Sequence, residues 1–68
     1  MKYLVILEKG NGSYGAYVPD LPGCAVVAET QKEALDLIRD AITLHLESLR
    51  ESGGPIPEPN STPEVVKV

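Results

Sequence analysis

Few residues of this 68-residue chain could carry covalent chemistry, and the first is its single cysteine. Cys24 lies in the stretch VPDLPGCAVVAET, residues 18–30, between two runs rich in β-forming residues. A reactive thiolate needs a cationic neighbour, a helix N-terminus or a base within reach. The residues beside it in sequence, Gly23, Ala25 and Val26, supply none of these. The sequence therefore predicts a small buried side chain rather than a nucleophile.

Two other residues could take part in acid–base chemistry. His45 falls on the apolar face of a predicted helix, where a packed or interface residue is the ordinary interpretation; a general base would also need a nucleophile beside it. Asp20 lies in a proline-bounded turn, where a carboxylate accepts hydrogen bonds from nearby backbone amides. Glu8 and Glu29 show no spacing typical of a metal site. We therefore expect no catalytic residue, no metal and no cofactor, and predict that the chain is not an enzyme.

Size and charge direct attention to a protein partner instead. A chain this short forms one small domain with a limited core, and one cysteine cannot form an intramolecular disulfide. We therefore expect added stability from self-association, as a dimer or tetramer, or from a tight partner. The net charge of −4 argues against direct nucleic-acid binding and favours a basic partner, although it also serves solubility. The sequence shows no membrane-spanning run or signal peptide, and its lone thiol suits a reducing cytoplasm.

The elements that must position these residues follow from periodicity and turn residues. Thr30 and Glu33 form a capping box at the start of a helical pattern, which Gly53, Gly54 and Pro55 end. The predicted elements of the single domain, 1–68, are strands at about 1–9, 13–18, 24–28 and 64–68, a helix at about 31–52, and a proline-rich connection at 53–63. This order predicts an α+β two-layer sandwich, β-β-β-α-β, with sheet order 3-2-1-4.

One helix covers only one face of such a sheet, so the monomer should be incomplete. The apolar stripe of the helix is also wider than a core-facing helix requires. We expect self-association through helix residues Leu37, Leu44, His45 and Leu46. Tyr3, Tyr14 and Tyr17 are the only aromatic residues. On predicted strands their default role is core or strand-pair packing, and an interface role for at least one of them is the alternative. The candidate partner-binding residues are Tyr14, Tyr17, Asp20, Leu21 and Pro22.

Beyond these patterns, three stretches together resemble the HicB family of antitoxins. They are YVPDLPGC at 17–24, ET at 29–30 followed by EAL at 33–35, and GGPIPEP at 53–59. The family pattern is a Y-x-V-P-D-L-P-G-C/A strand and turn, a small strand, a T-x-x-E-A helix start and an I-P-x-P tail. The match runs along the whole chain with near-standard spacing.

The resemblance implies a partial ribonuclease-H-like sheet and a non-catalytic role. Such domains bind and mask a small basic HicA-type toxin that cleaves messenger RNA, in a type II toxin–antitoxin system. Full-length members usually carry a C-terminal DNA-binding domain, whereas this sequence stops at Val68. We therefore expect no operator binding by this chain alone. The alternative function is an orphan oligomeric module that binds a protein or small ligand without a toxin.

Overall fold

The computed structural model describes all 68 residues and contains three strands followed by one helix. Strand β1 spans Ile6–Lys9, β2 spans Tyr14–Tyr17, β3 spans Ala25–Ala28, and helix α1 spans Gln31–Glu51. The strands form one antiparallel sheet in the order β1-β2-β3. The α+β class is therefore confirmed, and the second and third strands and the helix end within one residue of their predicted bounds.

Two strand predictions differ from the structure. Residues 1–5 have no ladder partner, because β2 ends at Tyr17 opposite Ile6 and the chain then turns at Pro19. Residues 64–68 were expected to form a fourth strand, but they form no strand and are all exposed. Their valine-rich composition favours a strand, yet a strand forms only against a partner. The sheet therefore has three strands rather than the predicted order 3-2-1-4.

The connection between β2 and β3 consists of two successive β-turns, each with a proline at its second position. In the first turn, Val18–Leu21, the Leu21 N–H donates to the Val18 carbonyl at 3.1 Å, and Pro19 holds the second position. In the second turn, Leu21–Cys24, the corresponding distance is 3.0 Å, with Pro22 in second place. Gly23 has φ of 83° in the third position, which a type II turn requires and glycine supplies. The proline-bounded turn predicted from sequence is therefore a rigid pair of turns.

Both ends of α1 are capped as the sequence predicts. The Glu33 N–H donates to the Thr30 hydroxyl oxygen at 3.1 Å, which satisfies one free amide of the first turn. At the other end Gly53 has φ of 73°, and its N–H donates to the Arg50 carbonyl at 3.2 Å. The Gly54 N–H bonds to the Leu49 carbonyl at 3.1 Å, completing a Schellman cap.

The core is small and lies between α1 and the β2–β3 half of the sheet. Only seven of the 68 residues are buried, namely Ala16, Val18, Leu21, Cys24, Ala28, Ala34 and Ile38. The helix packs on β2 and β3 much more than on β1. The inner side of β1 is therefore covered only in part, and the monomer buries little apolar surface for its length.

Candidate functional site

The sheet face opposite α1 is uncovered and largely apolar. Cross-strand register places Ile6 beside Tyr17 and Tyr17 beside Ala25, and it places Glu8 beside Gly15 and Gly15 beside Val27. We call this surface the outer face; its members are Ile6, Glu8, Gly15, Tyr17, Ala25 and Val27. Val27 is 71% exposed and Tyr17 is 40% exposed. Two large side chains thus stand in solvent on the central and edge strands of the sheet.

A shallow groove of about 380 Å³ crosses the outer face at Gly15. Gly15 does not adopt a positive φ, so its backbone would accept any residue. A Cβ atom there would come no closer than 3.8 Å to the Val26 carbonyl oxygen, which is ordinary van der Waals contact. Neither backbone conformation nor internal packing therefore explains this glycine. A strand glycine without such a reason is typical of a site where another chain approaches closely.

The structure separates the five residues predicted to contact a partner. Tyr17 and Pro22 are exposed, as a contact role requires. Tyr14 points to the opposite side, where it is half-buried against the core. Leu21 has no exposed surface at all, so its predicted contact role is wrong for the folded chain. The reason is that Leu21 is shared by both turns of the β2–β3 connection and points inward.

Asp20 has a structural partner within the chain. Its Oδ2 accepts from the Ser61 N–H and its Oδ1 accepts from the Ser61 hydroxyl, both at 2.9 Å. The Ser61 backbone hydrogen bond is the main reason that the pKa of Asp20 lies below its ordinary value; partial desolvation opposes this shift. The carboxylate therefore holds the proline-rich segment to the β2–β3 connection.

A second surface lies where α1 leaves β1 uncovered. This groove, which we call the β1 groove, has a volume of about 770 Å³. Its floor is apolar and includes Tyr3, Val5, Ile38, Ile42 and Leu46. Its rim is cationic and includes Lys2, Arg39 and Arg50. Half of the six basic residues of an otherwise acidic chain therefore lie around one groove.

The residues predicted for self-association fall on different parts of α1. Leu46 lines the β1 groove. Leu37 and Leu44 are 44% and 66% exposed and lie outside that groove, and His45 is half-buried. The structure thus brings one of the four to a concave surface. Their role in self-association stays a prediction.

The remaining reactive groups are the Cys24 thiol and the side chains that could ligate a metal. Cys24 is buried, as predicted, and this burial raises the pKa of its thiol. No three side chains among the His, Cys, Asp and Glu residues come together as metal ligands would. The single helix lacks the apolar length that a membrane span requires.

Residues 3–68 match the family described as the HicB-like antitoxin of bacterial toxin–antitoxin systems. The chain belongs to this family. A UPF0150 protein of Thermoplasma acidophilum is 45% identical over 62 residues, which cover 90% of each chain. A UPF0150 protein of Synechocystis is 42% identical over 57 residues, 82% of this chain and 72% of its own.

Similarity to a solved structure agrees with the family match. The N-terminal domain of the Burkholderia pseudomallei antitoxin HicB superposes with a TM-score of 0.76 and 37% identity, over 85% of this chain and 69% of that one. An uncharacterized 14.9 kDa protein of Haemophilus phage HP1 is 37% identical over 60 residues, although the match spans only 45% of its length. The HicB resemblance read from 17–24, 29–35 and 53–59 is therefore confirmed, and it points to a non-catalytic antitoxin-type protein.

Sequence reasoning missed three residues of these surfaces. Gly15 and Val27 shape the outer face, and Ser61 binds Asp20. For Gly15 a signal was available, since a glycine inside a strand pattern is unusual. Val27 resembles any strand valine, and the partner of Asp20 lies 41 residues away in sequence.

Proposed function

We propose that this chain is the antitoxin of a toxin–antitoxin pair and neutralises a small basic HicA-type toxin that cleaves messenger RNA. The observation that carries the proposal is the match of residues 3–68 to the HicB-like antitoxin family. Neutralisation occurs by protein–protein contact, so no residue of this chain reacts chemically. The chain acts in fixed stoichiometry with its toxin rather than turning over.

The outer face is the contact surface in this proposal. It offers an exposed tyrosine, Tyr17, and an exposed valine, Val27, on a rigid sheet. Tyrosine is enriched at protein interfaces because it combines an apolar ring with a polar tip. The groove over Gly15 admits a side chain or backbone segment of the partner close to the sheet. Pro22, exposed on the β2–β3 connection, extends the same contact set.

Charge supports the choice of a basic partner. The chain carries ten acidic and six basic residues. Glu8 is the one charged residue of the outer face, and both Glu8 and Lys9 line the groove over Gly15, so the negative charge is that of the chain as a whole. A negative field of this kind accelerates association with a cationic protein and discriminates against acidic ones.

The test is a binding titration with a small basic HicA-type protein, for which a small basic open reading frame beside this chain's gene would be the first candidate. Val27→Arg places a cation on the β3 side of the outer face, beside Gly15, where it meets a basic partner and blocks close approach. Leu44→Arg is the matched control, because Leu44 is 66% exposed against 71% for Val27 and lies on the helix, outside both grooves. Neither site is buried, so both variants should fold.

We expect Val27→Arg to weaken binding by about tenfold or more, as replacement of an interface anchor does, and Leu44→Arg to bind as the unmodified chain. Equal binding by both variants and the unmodified chain would remove the outer face from the interface. Absence of binding by the unmodified chain would remove the antitoxin function itself.

A further inference from the structure

We propose that two copies of this chain associate by strand addition, independently of any toxin. Residues 64–68 of one copy pair with the segment Tyr3–Leu7 at the β1 edge of the other, and their side chains enter the β1 groove. The exchange is reciprocal, so both copies are donor and acceptor. The structural basis is an exposed strand-like segment and an unpaired strand edge beside an apolar groove.

The donor segment extends free of the domain. Val65 and Val66 are 98% and 77% exposed, and no residue beyond Ser61 makes a hydrogen bond. The radius of gyration is 13.1 Å, whereas a compact domain of this length has about 11 Å. Valines favour extended structure against a neighbouring strand. This segment therefore has the composition of a β-strand but no neighbouring strand to pair with.

The path of the chain directs this segment away from its own β1. The Tyr3 hydroxyl donates to the Pro57 carbonyl at 2.6 Å, so the chain passes β1 there. Four residues later Ser61 is bound to Asp20, in the connection between β2 and β3. The chain has thus moved from Tyr3, before β1, to the β2–β3 connection before residues 64–68 begin. Pairing with its own β1 would require it to turn back, whereas the β1 of a second copy carries no such constraint.

The acceptor is the edge strand β1 with its extended N-terminal continuation. β1 pairs only with β2, so its other edge has free backbone N–H and carbonyl groups. Glu8 and Lys9 place charges at the end of β1, a feature that discourages edge pairing there. Residues Tyr3–Leu7 carry no charge and are all half-buried, so the available edge lies there.

The β1 groove explains why a second copy of an acidic chain fits. Two copies of net charge −4 repel each other in general. The rim residues Lys2, Arg39 and Arg50 form no ion pair, since Lys32–Asp36 is the only one in the structure. They meet the acidic Glu64 at the start of the donor segment, while the apolar floor receives its valines. The charge of the groove therefore offsets the general repulsion.

Reciprocal addition also supplies burial that the monomer lacks. The core contains seven buried residues, and Leu21 and Ile38 are its largest fully buried side chains. A core of this size rarely gives a small domain ample stability by itself. In a closed dimer with two-fold symmetry, each copy donates its segment to the other, so the same surface is buried twice. No donor segment or β1 edge is then left free to bind a third copy.

The test uses the full chain and measures its mass in solution by light scattering over a range of concentrations. Val66→Pro removes the backbone donor in the middle of the donor segment, and Thr62→Pro, also exposed but outside the segment, is its control. Thr43→Trp fills the β1 groove from an exposed position, and its control, Ser48→Trp, changes an exposed helix residue that does not line the groove. Hydrogen exchange of residues 64–68 gives the second readout.

We expect a dimer for the unmodified chain and both controls, with slow exchange in 64–68. Val66→Pro and Thr43→Trp should each weaken the dimer by about tenfold or more and speed that exchange. A monomer with fast exchange throughout 64–68 overturns the proposal. So does a monomer with protected 64–68, which would indicate pairing within one chain, or a dimer unaffected by both test variants. None of these outcomes depends on toxin binding, so this proposal and the antitoxin function fail separately.

Discussion

Ser61 holds Asp20 with two hydrogen bonds of 2.9 Å, one from its backbone N–H and one from its hydroxyl. The two residues are 41 positions apart, and the contact ties the proline-rich segment to the β2–β3 connection. Together with the Tyr3–Pro57 contact, it fixes the route of the chain after α1. These two contacts therefore decide where residues 62–68 can go.

Asp20→Asn should destabilise the protein at neutral pH and lose this effect in acid. Hydrogen bonds from Ser61 lower the folded-state pKa of Asp20 below the ordinary value of 3.8. The stabilisation is therefore complete above that value and is lost as the pH falls through the lower folded-state pKa. The gap in unfolding free energy between the unmodified chain and Asp20→Asn should close below about pH 4, as measured by urea unfolding.

Glu64→Gln provides the control for this pH dependence, because Glu64 is exposed and makes no hydrogen bond within the chain. Measured at low protein concentration, it should show no comparable gap at any pH. A gap for Asp20→Asn that stays constant down to acid pH would contradict the assigned role of the Asp20 carboxylate.

Tyr3→Phe should lower the unfolding free energy by about 0.5–1.5 kcal/mol, the usual net contribution of one hydrogen bond. The change removes only the hydroxyl that donates to the Pro57 carbonyl at 2.6 Å. Tyr14→Phe is the matched control, since the Tyr14 hydroxyl makes no hydrogen bond and its ring is half-buried like that of Tyr3. Equal effects of the two changes in thermal or urea unfolding would contradict the Tyr3–Pro57 contact.

Two glycines should respond in opposite ways to alanine. Gly15→Ala should stabilise the chain by about 0.4–1 kcal/mol, because its φ is not positive and a Cβ has room there. The same change fills the groove of the outer face, so toxin binding should weaken while stability rises.

Gly23→Ala should destabilise the folded chain, because φ of Gly23 is 83° at the third position of a type II turn. Unfolding and binding measurements on both variants test this, and a loss of stability in Gly15→Ala would refute it.

The Cys24 thiol should react slowly with a thiol reagent in the folded protein. It is buried, and burial raises its pKa, so little thiolate is present at neutral pH. Reaction should become fast in denaturant, and its rate in native buffer should track the fraction of unfolded chain. Immediate labelling of the folded chain would show that Cys24 is accessible.

Much of the local structure was predictable because its signals lie within a few residues of one another. Thr30 and Glu33 mark the helix start and Gly53 marks its end, and both caps form. Pro19, Pro22 and Gly23 each occupy the turn position that their backbone preferences favour. In these places local propensity and the global fold agree.

The long-range contacts could not be read from the sequence. Tyr3 and Pro57 are 54 positions apart, and neither residue type requires the other. Residues 64–68 have the composition of a strand, but whether a strand forms depends on a partner that composition does not name. For the same reason Leu21 resembled a turn residue exposed to a partner, while its position between two turns directs it inward.

The most direct test of the antitoxin function is to titrate this chain into a messenger-RNA cleavage assay that contains a small basic HicA-type toxin. We predict that cleavage falls linearly with added chain and stops at a fixed molar ratio, that Leu44→Arg behaves identically, and that Val27→Arg requires a large excess. Cleavage that continues unchanged at a saturating excess of the unmodified chain would contradict the account.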